Sequence, residues 1–172
     1  LGDVYKRQGK SYGKQSKNNS SLKNRYRLMW MDTKYEPGEV KVVAYDKNGK
    51  AVAEKVVRTA GKPHHIELVS NRNELTADGK DLAYVTVKVV DKDGNLCPTD
   101  NRQINFSVKG TGKYRAAANG DPTNLEQFHL PKMHAFNGML TAILQAGETA
   151  GEIVFTAKAN GVKAGNIRIQ TK

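Results

Sequence analysis

Long apolar runs are missing from this chain. No stretch approaches the ~18 consecutive hydrophobic residues of a membrane-crossing helix, so no membrane span is expected. Cysteine is almost absent: Cys97 stands alone, which excludes an internal disulfide and any multi-cysteine zinc cluster. Nowhere does an apolar stripe recur with a helical period of 3.6. Proline is scarce, five against sixteen glycines, and Val, Ile, Thr and Tyr are common, which favours strands over helices. Catalytic signatures are lacking too. There is no Gly-rich phosphate loop, no Gly-x-Ser-x-Gly elbow and no His-Glu-x-x-His pair. With 172 residues the chain has room for one large domain or two small ones. It is too short for a (β/α)₈ barrel, which takes about 250.

What is present is positive charge, and it is unevenly placed. The chain carries 28 Lys and Arg against 17 Asp and Glu, a net +11. Residues 1–30 hold Lys6, Arg7, Lys10, Lys14, Lys17, Lys23, Arg25 and Arg27 against Asp3 alone. The rest is only mildly basic, with both signs mixed. A nucleic-acid channel interleaves cations with stacking aromatics. Here only Tyr12 and Tyr26 stand near the cations, among Gly, Ser and Asn, so a solvated basic loop is expected and nucleic acid is not named as a partner.

The opening octapeptide, Leu1 to Gln8, connects to nothing periodic and has no apolar core of a signal peptide. It resembles an adaptor-derived tail of translated metagenomic reads. Residues 1–8 are therefore expected to be a non-native tail, with the native protein starting upstream of Gly9. Residues 9–24 are polar and read as a loop. In Arg25–Met31, Tyr26, Leu28 and Trp30 alternate with Arg25 and Arg27, predicting a half-buried strand with Trp30 in a core. Two strands follow, 39–46 and 51–58, joined by the Asn48-Gly49 hairpin signal. Thr59-Ala60-Gly61-Lys62-Pro63 breaks the pattern and marks a boundary.

Beyond it the alternation restarts: His64–Ser70, Leu82–Val90, a strand around Ile104, Phe106 and Val108, then Tyr114–Ala118, Met139–Leu144, Ile153–Ala159 and Ile167–Ile169. About seven short strands separated by turn signals predict an all-β immunoglobulin-like antiparallel β-sandwich over residues 61–172. A partial second β-sandwich, residues 9–60, is expected before it.

Several stretches resemble a known family. Gly9-Lys10-Ser11-Tyr12-Gly13-Lys14, Tyr26-Arg27-Leu28-Met29-Trp30, Tyr35-Glu36-Pro37-Gly38 and Thr59-Ala60-Gly61 are similar to the penultimate β-sandwich of bacterial glycoside hydrolase family 2 enzymes, the β-galactosidase-like group. Asp81–Val87, Asp91-Lys92-Asp93-Gly94, Asn119-Gly120-Asp121-Pro122-Thr123 with Glu126, and Ala135-Phe136-Asn137-Gly138 resemble the terminal immunoglobulin-like domain of the same enzymes. Such enzymes cleave β-glycosides with two glutamates in a (β/α)₈ barrel, and nothing in this chain matches that barrel. The resemblance thus implies a non-catalytic accessory region of a glycosidase. Its partner would be the catalytic barrel domain of the same polypeptide, with carbohydrate as a further partner and no cofactor. The compartment is left open, a periplasmic or secreted parent being favoured. The competing expectation is a carbohydrate-binding or adhesion spacer module of a bacterial surface protein.

Candidate sites are few, and no catalytic residue is assigned. Asp91-Lys92-Asp93-Gly94-Asn95 suggests a calcium loop, but Leu96 and Arg102 fall where that loop requires Gly and Glu, so a hairpin turn is expected. His65 and Glu67 share a strand face without a third ligand nearby, so no metal site is assigned. Cys97 lacks a cationic triad and is not expected to be a nucleophile. Tyr12 and Tyr35 lie in or beside turns where a sugar could stack, but they form no visible platform. The long connection 119–137 is where function is sought, since long connections in compact domains often carry it. Within it Asn119, Asp121, Glu126 and Asn137 are candidates for ligand or interdomain contact, by hydrogen-bonding sugar hydroxyls or binding a cation, or for simply fixing the loop through Asx turns.

Overall fold

The computed structural model describes residues 2–7 and 9–172, the backbone alone at 2–7. The chain divides into two compact units, Leu1–Thr59 and Ala60–Lys172.

The first unit holds one four-stranded antiparallel sheet in the order β2-β1-β3-β4, one layer of a partial sandwich. Its strands are β1 (Gly2–Arg7), β2 (Lys10–Ser16), β3 (Glu39–Tyr45) and β4 (Ala51–Arg58). The 39–46 and 51–58 expectations match β3 and β4. Between them Asp46 Oδ1 accepts the N–H groups of Asn48 and Lys50 (2.8 and 2.9 Å), while Gly49 takes the positive φ of the turn. Residues 2–7, set aside in the sequence as tail, pair as β1 with β2 and β3. The expectation of a non-native tail over 1–8 otherwise falls on positions 1 and 8 and on side chains that lie outside the described residues.

Two local expectations are corrected. Residues 10–16, predicted as loop, form strand β2: backbone pairing needs no apolar alternation, and this strand lies at the sheet's edge. The predicted strand 25–31 is instead a one-turn helix, α1 (Leu22–Tyr26), followed by irregular chain. Ser21 caps it, its hydroxyl accepting Asn24 N–H at 3.1 Å, and Arg27 N–H returns to the Lys23 carbonyl at 2.9 Å. Local hydrogen bonds win because the alternating side chains find no common buried face. Tyr26 is 67% exposed, and Trp30, expected in a core, is only half-buried.

The second unit is an antiparallel sandwich of two sheets. One has the order β10-β8-β12-β13-β6 and the other β5-β7-β11-β9. The strands are β5 (His65–Ser70), β6 (Glu74–Leu75), β7 (Leu82–Val90), β8 (Gln103–Gly110), β9 (Gly112–Ala118), β10 (Lys132–His134), β11 (Met139–Ala146), β12 (Gly151–Lys158) and β13 (Gly165–Thr171). Among its strand pairs only β6 with β13 is parallel, and an isolated parallel bridge joins His65 to Lys163. Alternation decides which side chains face inward. Ala83, Val85, Val87 and Val89 of β7 and Leu140, Ala142, Leu144 and Ala146 of β11 are buried on one layer. Ile104 and Phe106 of β8, Ile153, Phe155 and Ala157 of β12 and Ile169 of β13 meet them from the other. Register places small beside large: Leu144 opposite Ala83, Ala142 opposite Val85. Each fully buried Val, Leu, Ile or Phe contributes about 1.5–3 kcal/mol of transfer free energy.

The units differ sharply in core. Among the described residues of the first, Val43 is the one buried hydrophobic side chain, whereas the second buries a continuous cluster. Little buried area means cheap local opening. Amide hydrogen exchange in β3 and β4 is therefore expected to be faster, by orders of magnitude, than in β7, β11 and β12. Equal protection across the two sets of strands would contradict this.

Candidate functional site

The long connection leaves β9 and returns to β11, carrying β10 within it. Its polar side chains are spent largely on its own backbone. Asn119 Oδ1 accepts the Asp121 N–H (3.0 Å) and an Asn124 amide proton (3.3 Å), and its Nδ2 donates to the His134 carbonyl (3.0 Å). Asp121 Oδ1 accepts the N–H and hydroxyl of Thr123 at 2.8 and 2.7 Å, an Asx turn after which Asn124 N–H closes on the Asp121 carbonyl. Glu126 Oε2 accepts the His134 N–H at 3.0 Å, and Oε1 lies 2.9 Å from His134 Nδ1. Asn119 and Glu126 thus grip the same residue of β10.

Asn137 is not part of that network. Asn137 and Gly138 both have positive φ (52° and 77°) and link Phe136 to Met139 through paired backbone hydrogen bonds, the pattern of a primed two-residue hairpin turn. Gly138 is required there, because a Cβ would lie 2.3 Å from the Cys97 carbonyl oxygen. Asn137 N–H donates to Asn101 Oδ1 at 3.3 Å, and its side chain is exposed.

Below the loop, Tyr114 fixes the chain from inside. Its hydroxyl donates to the carbonyls of Phe128 (3.1 Å) and Leu130 (2.7 Å), and Ala117 N–H also donates to Phe128 at 2.8 Å. Burial pushes the Tyr114 phenol up to about 12, so it stays a donor at neutral pH. On this braced loop two apolar side chains point outward: Leu125 is 96% exposed and Phe128 55%. They border a shallow hollow of about 520 Å³ with Arg115, Glu126, Gln127 and His129. No periodic pattern in the sequence points to Arg115. Leu125 and Phe128 were visible as isolated apolar residues in a polar connection, the signal that would have singled them out.

Electrostatics argue against acid–base chemistry among the described residues. Hydrolysis of a glycosidic bond needs a carboxyl held protonated, its pKa raised, beside a second carboxylate. The carboxyl groups held away from their ordinary range are all held below it. In Glu126 partial burial works the other way but is outweighed by the His134 N–H and ring. Asp121 is lowered by the Thr123 N–H and hydroxyl, and Asp78, Asp81, Asp91 and Asp100 are lowered too. Asp91 spends its carboxylate on N–H donors in a turn, in place of a cation. Burial, then the charges of Asp91 and Asp100, push the Cys97 thiol up, away from the thiolate a nucleophile needs. His64 and His65 set their Nδ1 atoms 3.0 Å apart with edge-on rings, one donating to the other. Among the described residues no group of three or more His, Cys, Asp or Glu is placed to hold a metal ion. Among the described residues no helix is long and apolar enough to cross a membrane.

Comparison with known proteins agrees with this inventory. Residues 66–168 match the family described as glycoside hydrolase family 2 C-terminal domain 5, and residues 8–53 match a domain of unknown function. A β-galactosidase of Bacteroides ovatus, BoGH2A, is 41% identical over 164 residues, covering 95% of this chain and 19% of that protein. A β-galactosidase of Thermoanaerobacter pseudethanolicus is 33% identical over 126 residues, 73% of this chain and 15% of its own length. Among solved structures, a glycosyl hydrolase family 2 member from Bacteroides cellulosilyticus superposes with a TM-score of 0.87 at 29% identity, covering 99% of this chain and 21% of that one. The chain therefore spans about a fifth of the length of the relatives it matches.

Proposed function

The chain belongs to glycoside hydrolase family 2, and from that premise we propose that it serves as the non-catalytic C-terminal accessory region of a β-galactosidase-like enzyme. Cleavage of the β-glycosidic bond would take place in a barrel domain of the same polypeptide. The observation that carries this reading is the match of residues 66–168 to a C-terminal domain of the family, in a chain that spans about a fifth of the length of its relatives. In support, Asp78, Asp81, Asp91, Asp100, Asp121 and Glu126 are all held below the ordinary carboxylate range. These acids are built to stay ionised in turns, and none is prepared to donate a proton.

In this reading the second unit is a rigid support and the first carries surfaces for the rest of the enzyme. Val52 and Val57 on β4 are more than half exposed, a poor arrangement for a sheet facing only water. Asn119, Asp121 and Glu126 set the shape of the 119–137 connection, and Asn137 sets its closing turn. What the loop presents outward is left to Leu125, Phe128 and their neighbours.

The purified 172-residue chain is expected to release no nitrophenol from nitrophenyl β-galactoside above a buffer blank. Turnover that survives repurification and scales with protein concentration would overturn the assignment.

A further inference from the structure

We propose that the hollow beside Arg115 is an accessory saccharide subsite that selects sugars bearing a carboxylate. The proposal rests on the accessory-region reading for its ligand class and on the geometry of β9 for its chemistry.

Arg115 occupies an irregularity in the sheet. Ile143 of β11 faces Ala116 and Leu144 faces Tyr114, so Arg115 is an extra residue between two paired ones. Such a bulge on an edge strand re-aims the side chain it carries, and bulges are common beside functional sites. Here Arg115, exposed to solvent, is one of the residues that line the hollow. Its guanidinium makes no hydrogen bond or ion pair among the described residues. The acid that shares the hollow, Glu126, has both oxygens engaged with His134 and makes no ion pair with Arg115, so an incoming carboxylate must seat on the Arg115 side, away from the Glu126 charge. A guanidinium with an unspent fork of donors matches a carboxylate bidentately.

The remaining wall suits a sugar. Phe128 offers an exposed ring for the apolar face of a pyranose, and Gln127 and His129 can bond hydroxyls. The hollow is shallow and open, so a sugar would rest on one face of it while the other stays in water. The site is also preorganised. Tyr114 and Ala117 pin the Phe128 carbonyl, and Glu126 is locked to β10, so little loop entropy is lost on binding. A protein surface docking here would use Leu125 and Phe128 but would leave the bulged Arg115 without a purpose.

The test uses the full chain labelled with nitrogen-15, titrated by NMR with a tetrasaccharide ending in β-glucuronic acid and with its carboxyl-reduced twin. The acidic sugar is expected to bind at least tenfold more tightly, moving the amides of residues 115–116 and 125–129. Arg115→Ala should abolish that preference, and Arg115→Lys should recover part of it. Phe128→Ala should weaken both sugars alike. Equal binding of the twins, no binding of either, or an unaltered preference in Arg115→Ala overturns the subsite. Its loss leaves the accessory-region reading standing, because that reading is judged by turnover and not by binding.

Discussion

Phe155→Ala is expected to cost the second unit about 3–5 kcal/mol of unfolding free energy. Phe155 is fully buried at the middle of β12, paired with Val108 on β8 and Ile167 on β13. Truncation removes the ring's transfer free energy and leaves a cavity that neighbouring strands cannot close without breaking register. The effect should travel outward. Phe155 stacks on Phe106 with centroids 5.8 Å apart, Phe106 stacks on Tyr114 at 5.6 Å, and Tyr114 holds the carbonyls of Phe128 and Leu130. The variant should therefore expose the Ala117 amide, which donates to Phe128, to faster hydrogen exchange even under folding conditions. Trp30, the one tryptophan, lies in the first unit, so its fluorescence reports the wrong transition. Denaturant unfolding is best followed by exchange at β12 amides or by far-ultraviolet circular dichroism. A loss below about 1 kcal/mol would mean that the two sheets do not share the core described.

The same residues show what the sequence could and could not reveal. β7 was legible end to end, because Leu82–Val90 alternates strictly and one face is buried completely. β12 and β11 were legible for the same reason, with ends one or two residues off. β2 was not, because a strand exposed on most of its length leaves no period in its side chains. The helix at Leu22–Tyr26 was masked by a false alternation beginning at its last residues, and only Ser21 with Asn24 hinted at a cap. In the candidate site, Asn119, Asp121 and Glu126 stand in one polar connection in the sequence, and in the structure hydrogen bonds join them into one network. Arg115 was beyond reach. Whether a strand residue is bulged depends on its partner's register, which is a tertiary fact.

Asp91 offers the second large effect, and its size depends on pH. The side chain is 2% exposed. Its Oδ2 accepts the Gly61 N–H at 2.7 Å and an Asn95 amide proton at 3.0 Å, and its Oδ1 accepts the N–H groups of Asp93 and Asn95 at 2.9 and 2.8 Å. One carboxylate thus ties the start of the second unit to the turn that ends β7. These donors, the Gly61 N–H first and the Asn95 amide next, hold the Asp91 pKa far below the ordinary carboxylate range. In the unfolded chain the group titrates near ~3.9. Above that value it is ionised in both states, and its full contribution is present. As pH falls through ~4 the unfolded chain takes up a proton that the folded one refuses, so stability drops with pH until the folded value is reached. Asp91→Asn keeps one acceptor oxygen and loses the charge, and Asp91→Ala leaves the N–H donors unpaired. The melting temperature at pH 7 is expected to fall in the order wild type, Asn, Ala. The gap between wild type and Asp91→Asn should shrink steadily below pH 4, because only the wild type has a carboxylate here that the unfolded chain can protonate. Other lowered carboxyls, Asp78, Asp81 and Asp100 among them, bend both curves alike, so the difference between the two proteins isolates Asp91. A gap that stays constant from pH 7 to pH 2.5 would show that the carboxylate's charge has no part in holding Gly61 to the turn.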